Sequence, residues 1–252
     1  MLHLFCADAG KEKEILEITG SDVNHIRNVM RLKPGDEISV SNGFDGREYR
    51  YGIESEEETR VVCRLRFVKE ADTELPVKVY LFQGLPKADK MDLIVQKAVE
   101  LGVYSVIPVS MARCVVKLDK AKGAKKASRW QAIAQSAAQQ SRRTYVPEVT
   151  EPMTMQEALA FAKEKTDHII LPYELQECDS STNLVLDAIR PGESISVFIG
   201  PEGGFEPSEA DAALEAGAKK ISLGRRILRT ETAGLAFLSW MIYLMEIREQ
   251  KE

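Results

Sequence analysis

The sequence predicts an α/β protein in two parts, a small β-rich domain over residues 1–72 and a larger α/β domain over 73–252. Three observations carry that prediction. Short β-branched and aromatic runs separated by turn residues fill the first seventy positions. After Glu70-Ala71-Asp72-Thr73 the pattern changes to apolar strands alternating with helical spacings, the signature of a mostly parallel sheet with helices on its faces. The chain has 252 residues, 44% hydrophobic and 29% charged, which suits one large or two modest globular domains and excludes disorder, collagen and a disulfide-stapled miniprotein.

In the first part, residues 14–19, 36–41, 47–54 and 60–68 read as strands. Asn42-Gly43 and Asp45-Gly46 supply the positive φ of tight connections. One helix interrupts them, capped at Ser21, running through Val23, Ile26, Val29 and Met30, and stopped by Pro34-Gly35. A small β-barrel with one helix is the expected form.

In the second part, 77–82, 104–109, 168–171, 194–199 and 221–223 read as strands. Helices are expected over 87–101, 124–140, 155–165, 208–216 and 231–247. Gly102 stands where the first of these helices should stop. The last helix has almost no polar face before Glu246, so burial all round is expected, in a subunit interface as well as a core.

The longest apolar run, Ala233 to Met245, is shorter than the ~20 residues of a membrane span. Met1 to Cys6 lacks the basic and long apolar regions of a secretory leader. Cys6, Cys63, Cys114 and Cys178 are scattered without C-x-x-C spacing, and there are three histidines, so reduced thiols, a cytoplasmic location and no metal site are expected. The net charge of −5 hides an asymmetry: from Arg113 to Arg143 nine basic residues face one acid, Asp119. That +8 stripe on an otherwise acidic chain reads either as a polyanion surface or as a solvated helix face.

Two strand-to-helix loops are candidates for chemistry. The first is Ile199-Gly200-Pro201-Glu202-Gly203-Gly204-Phe205, with Ser208 and Asp211 placed as a capping pair for the helix that follows. It is neither a dinucleotide fingerprint nor a P-loop, because it lacks G-x-G-x-x-G and any Lys-Ser/Thr. The second is Leu223-Gly224-Arg225-Arg226-Ile227-Leu228-Arg229-Thr230-Glu231-Thr232-Ala233, where Thr230 can cap and Glu231 meets the positive helix end. Three arginines beside a strand end serve an anion or RNA backbone, or are simply solvated.

The two loops, about twenty residues apart, strongly resemble the SPOUT class of methyltransferases, and within it the ribosomal RNA small subunit methyltransferase E family. Three further stretches agree with that family: His25 to Arg31 with Pro34-Gly35-Asp36, Gly84 to Met91 running into Lys97 to Val103, and Gln140-Ser141 with Arg143 before Val146-Pro147-Glu148. The resemblance covers the chain in order. Gln139, Ala88 and Asn24 depart from the family pattern, where glutamate, glycine and a second histidine are expected, and Gln139 weighs against an acid/base role at its position.

The resemblance implies a PUA-like β-barrel that binds RNA, a SPOUT α/β domain whose tail forms a deep C-terminal trefoil knot, and a homodimer. It implies methyl transfer from S-adenosylmethionine (SAM) to N3 of a uridine near the decoding centre of 16S rRNA, within the 30S ribosomal subunit, with neither metal nor membrane involved. Carried over by position, the cofactor residues are Leu171, Tyr173, Ile199, Gly200, Pro201, Gly203, Gly204, Leu223, Gly224, Ile227, Leu228 and Thr232. Leu171 serves equally well as strand packing. Arg229 and then Arg143 are the candidates to stabilise charge developing on the uracil edge. Glu202 reads as a base, a cofactor contact or an exposed carboxylate. RNA-binding candidates are His25, Arg27, Arg31, Lys33, Arg47, Lys87, Lys90, Arg113 and Arg142, each also readable as an ordinary surface group. The competing readings are a ribose 2'-O-methyltransferase of the same class, acting on tRNA or 23S rRNA, and a non-enzymatic ribosome-assembly factor. A nicotinamide oxidoreductase is disfavoured by the absent fingerprint.

Overall fold

A computed structural model describes residues 1–173 and 180–248. It divides into two compact units, residues 1–74 with 138–146, and residues 75–137 with 147–252.

In the first unit β1 (His3–Phe5), β2 (Ile15–Thr19), β3 (Glu37–Ser41), β4 (Arg47–Glu56) and β5 (Arg60–Glu70) form one sheet in the order β1-β3-β4-β5-β2. The expected barrel is a curled sheet with β1 and β2 as its edges. Two register irregularities between β4 and β5, at Arg50/Tyr51 and Ile53/Ser55, increase its bend. Alternate side chains face one core of Leu16, Ile18, Val23, Ile26, Ile38, Val40, Tyr49, Tyr51 and Val61. β1 pairs parallel to β3 and was not anticipated, since three residues carry no periodicity. The helix expected over residues 21–30 is instead a single turn, α1 (Ser21–Asn24), followed by a π-helical turn, His25–Val29. Gly20, not Ser21, occupies its N-cap.

The second unit is a mainly parallel sheet with helices. Its strands are β6 (Lys78–Gly84), β7 (Ser105–Ser110), β8 (Glu148–Val149), β9 (Met153–Thr154), β10 (His168–Pro172), β11 (Ser194–Ile199) and β12 (Lys219–Ile221). The order is β12-β10-β11-β6-β7-β8, with β9 on β7. The helices are α2 (Lys90–Glu100), α3 (Lys120–Gln140), α4 (Met155–Lys165), α5 (Ser180–Asp187), α6 (Pro207–Glu215) and α7 (Thr230–Ile242), the last continuing as a π-helical segment, Tyr243–Arg248. Gly102, at φ 86, ends the α2 turn as expected. The basic stripe begins in the loop before α3, whose buried edge is Gly123, Ala127, Trp130, Ala134 and Ala137, so most of its lysines face solvent.

Three expectations are corrected here. α6 starts at Pro207 after Glu206, and Glu209 accepts the Glu206 N–H at 3.0 Å; Ser208 and Asp211 are not the capping pair. The strand expected over 221–223 lies two residues earlier. Within a single chain α7 is buried on one face, at Thr230, Gly234, Phe237, Leu238 and Met241, while Leu235, Ala236, Trp240 and Ile242 are half-buried, so the core alone does not cover it all round. α5, β8 and β9 were not anticipated, and Cys178 lies outside the described residues.

Chain order brings the last helix back across this sheet. After the edge strand β12 the chain returns to its centre, where α7 lies on β6 and β11. A Cβ at Gly234 would stand 3.1 Å from Leu81 Cδ1 and 3.6 Å from Ile199 Cγ1, so glycine lets the helix approach the sheet closely and any larger residue would require Leu81 to shift. Gly84, ending β6, is tighter still: a Cβ there would be 2.7 Å from the Pro201 backbone nitrogen.

Candidate active site

Loops leaving the carboxyl ends of β10, β11 and β12 surround a cavity of about 290 Å³. Ligands in open parallel sheets gather at this end of the strands. Ile199, Phe205, Leu223, Leu228 and Ala233 give it apolar surface, and Gly200, Gly204 and Gly224 bring backbone to its edge. Arg225, Arg226, Ile227 and Arg229 form the exposed β12 side, with Ile227 83% exposed. None of these three arginines makes an ion pair or side-chain hydrogen bond among the described residues.

The β11 loop is fastened from three directions. Lys90 Nζ lies 3.0 Å from Glu202 Oε1 and 3.1 Å from Glu231 Oε2, joining the start of α2, the β11 loop and the first turn of α7. The Lys87 backbone N–H donates to the same Glu202 oxygen at 3.1 Å. Thr230 Oγ1 donates to the Gly200 carbonyl at 2.7 Å and accepts from Gln83 Nε2 at 2.9 Å. Arg113 donates to Glu206 at 2.7 Å and to the Gly203 carbonyl at 3.0 Å.

These contacts set the electrostatics. Partial burial pushes the Glu202 carboxyl up, but hydrogen bonds from its own N–H, Lys90 and Lys87 outweigh it and hold the group below the usual carboxylate range. The hydrogen bonds that Lys90 donates to Glu202 and Glu231 in turn raise its ammonium. A carboxylate held this firmly ionised is a poor proton acceptor, so Glu202 fits a fastening role better than that of a base.

Most of the expected cofactor residues come together. Tyr173, Ile199, Gly200, Pro201, Gly204, Leu223, Gly224, Ile227 and Leu228 line the cavity with Glu202 and Arg229. Three do not. Leu171 is fully buried in β10, Thr232 is exposed on α7, and a Cβ on Gly203 would point at Arg113 Cβ, 3.1 Å away. Arg143 lies in the first unit, 3% exposed, with its Nε 3.0 Å from Glu74 Oε2. Glu74 Oε1 also accepts the Thr144 and Tyr145 N–H groups. Its guanidinium is thus committed to a buried ion pair that holds residues 143–145.

The expected RNA residues divide by partner. His25, Arg31, Lys87 and Arg142 are exposed; Arg27 and Lys33 pair with Glu56, Arg47 with Glu70 and Arg113 with Glu206. Lys90 belongs to the cavity wall instead. Sequence reasoning missed Gln83 and the Lys90–Glu231 contact, because those partners stand more than a hundred residues apart with no local pattern linking them.

The chain matches the family model of an RNA methyltransferase domain over residues 73–242, and that of an RNA methyltransferase PUA domain over 18–66. Fold and matches together define an RNA methyltransferase with a PUA domain. The ribosomal RNA small subunit methyltransferase E of Bacillus subtilis is 38% identical over 240 residues, 94% of this chain and 93% of that protein. That of Mycobacterium tuberculosis is 32% identical over 227 residues, 88% of this chain and 83% of that protein. The Neisseria gonorrhoeae enzyme of the same name, in a crystal structure bound to SAM, has a TM-score of 0.83 and 32% identity, covering 97% of this chain and 98% of that one. The chain belongs to the ribosomal RNA small subunit methyltransferase E family.

Proposed function

We propose that this protein transfers the methyl group of SAM to N3 of a uridine in 16S rRNA near the decoding centre, with the assembled 30S subunit as substrate. The observation that carries the reading is the cavity at the ends of β10, β11 and β12, walled by apolar side chains and glycine backbone and bordered by three arginines that make no ion pair or side-chain hydrogen bond among the described residues. The residues fit the cofactor. Ile199, Leu223 and Leu228 with the glycine backbone suit a neutral purine, and Arg225 and Arg226 suit a carboxylate. The bound cofactor would supply an electrophilic methyl on a sulfonium.

Uridine N3 carries a proton at neutral pH, and that proton must leave for nitrogen to attack. Arg229 stabilises negative charge developing on O2 or O4, lowering the N3 pKa so that solvent takes the proton. Lys90 and Glu202 hold the β11 loop in place. N3 lies on the Watson–Crick edge, so the base must be unpaired when it reaches the cavity.

In this reading residues 1–72 are a PUA-like RNA-binding domain and 73–252 the SPOUT domain. His25, Arg31, Lys33 and Arg142 contact phosphates, aided by the exposed basic face of α3. The return of α7 from the sheet edge to its centre supports a trefoil knot. Tyr243 and Ile247, 55% and 54% exposed and four residues apart, support a homodimer through this end of the chain. No helix among the described residues is long and apolar enough to cross a membrane, and the protein works with ribosomal subunits in the cytoplasm.

The test is methyl transfer from labelled SAM to unmodified 30S subunits and to naked 16S rRNA, followed by nucleoside analysis. The expected product is 3-methyluridine, made on 30S subunits. Label in ribose or another base overturns the N3 assignment, and cofactor binding without transfer to either substrate overturns the choice of RNA.

A further inference from the structure

The turn joining α1 to β3 in the first unit presents apolar side chains to solvent by construction. Ile26 is fully buried and Leu32 packs on the same core, so both ends of the turn are anchored. Between them the π-helical turn closes through Met30 N–H to the His25 carbonyl at 2.9 Å, and Leu32 N–H to the Ile26 carbonyl at 3.0 Å. The backbone then turns through Arg31 at φ 55. Val29 and Met30, at the tip, are 61% and 41% exposed. π-turns and left-handed non-glycine residues are uncommon and concentrate where a side chain must be held in an otherwise unfavourable place.

The surroundings indicate what meets this tip. Arg27 and Lys33 share the Glu56 carboxylate at 3.7 and 3.2 Å, and Arg31 has no ion pair or side-chain hydrogen bond among the described residues. Glu56 and Asp36, which accepts the Lys33 N–H at 2.8 Å, offset two of these three cations and leave Arg31 as the uncompensated charge, which suits a phosphate. Two partly exposed side chains also supply only a small fraction of the roughly 800 Å² per partner that a stable protein interface buries.

We propose that Val29 and Met30 form an apolar wedge that enters between bases of the bound RNA, while Arg31 holds the adjacent phosphate. Short apolar side chains beside basic ones open base steps in this way. The inference rests on the reading that this chain acts on RNA. Its consequence is that the first unit helps unstack the RNA so that a Watson–Crick edge becomes accessible, beyond providing affinity.

The test uses the full chain with 30S subunits. It compares wild type, Val29→Ala/Met30→Ala, Val29→Ile/Met30→Leu and Arg31→Ala. Three quantities are measured: binding against KCl concentration, 2'-hydroxyl acylation of the RNA at saturating protein, and kcat with KM. The alanine pair is exposed, so its thermal midpoint should match wild type. It should bind within about threefold of wild type with the same salt slope, lose the acylation increase that wild type produces, and lose about tenfold or more in kcat. The Ile/Leu pair should restore both. Arg31→Ala should reduce the salt slope by about one.

Identical acylation and kcat for wild type and the alanine pair would overturn the wedge. So would a changed oligomeric state of the alanine pair in sedimentation, which would assign the tip to a protein contact. A wild type that reshapes the RNA without transferring methyl would sink the proposed reaction while leaving the wedge standing. A wild type that binds no RNA would sink both.

Discussion

The loops after β11 and β12 face one cavity and are built in opposite ways. In the first, Glu202 is held by Lys90 and the Lys87 N–H, Gly200 by Thr230, and Gly203 by Arg113. In the second, Ser222 N–H donates to Thr182 Oγ1 at 3.0 Å and Gly224 N–H to Ser222 Oγ at 3.2 Å, but beyond Gly224 the side chains of Arg225, Arg226 and Arg229 make no ion pair or hydrogen bond among the described residues, Arg229 having only a longer-range attraction to Glu231. On the proposed reading the difference is a division of labour. A preorganised wall costs no reorganisation when ligand arrives, while unpaired cations remain available for charge that appears only during reaction. Arg143, by contrast, already faces the Glu74 carboxylate.

The sharpest way to break this comparison is Arg229→Ala. Losing one charge-stabilising donor typically costs about 10²–10³ in kcat, and that loss is expected here with SAM affinity within about threefold of wild type. Titration calorimetry with SAM alone, beside turnover on 30S subunits, separates the two. Full turnover in the variant would take the role from Arg229.

Next in size is Lys90→Met, aimed at the fastened wall. Glu202 and Glu231 would be left facing one another, and SAM affinity should fall on the order of tenfold, with Lys90→Arg recovering part of it. The pH dependence adds a sign. Glu202 titrates below the usual carboxylate range, so its contribution is complete above that range and is lost only as pH falls through the lowered value. Wild-type SAM affinity should therefore be flat from about pH 5 to 8, whereas in Lys90→Met the decline should begin at higher pH. Equal profiles for the two proteins would mean that Lys90 is not what holds Glu202.

Long strands and helices were legible in the sequence because their periodicity is long. β4, β6, β11 and α4 lie close to where residue pattern alone places them. β1, β8 and β9 have two or three residues and exist through pairing, which no local pattern records. The α6 capping pair was read two residues late because Pro207, a favoured first helical residue, was passed over for Ser208. Most of the cavity lining was legible because glycines and arginines after strand ends are conspicuous. Lys90 was read as an RNA contact because its two carboxylate partners stand 112 and 141 residues away in sequence. Burial decided the remaining cases, Leu171 and Arg143, and charge type carries no information about burial.

The unfastened wall gives a smaller effect. Ile227 is 83% exposed, so nothing in the described protein rests on it and truncation should leave thermal stability unchanged. If bound SAM covers it, Ile227→Ala removes apolar contact at about 25 cal/mol per Å² and weakens SAM binding roughly fivefold. An unchanged dissociation constant would place the side chain outside the ligand's reach.

The smallest effect tests the fastened wall from its hinge. Ala88 lies between Lys87 and Lys90 in the left-handed region at φ 55, where the family resemblance leads one to expect glycine. A Cβ in that conformation costs about 1–2 kcal/mol, and glycine returns part of it through the greater freedom of its unfolded chain, about 0.4–1 kcal/mol. Ala88→Gly should therefore stabilise by up to about 1 kcal/mol, raising the thermal midpoint by up to about 3 °C. SAM affinity should stay as in wild type, because the Lys87 N–H and Lys90 already reach Glu202 despite the strain. A gain in affinity along with the stability would show instead that the strain loosens their hold, and that the fastened wall is less fully organised than its hydrogen bonds indicate.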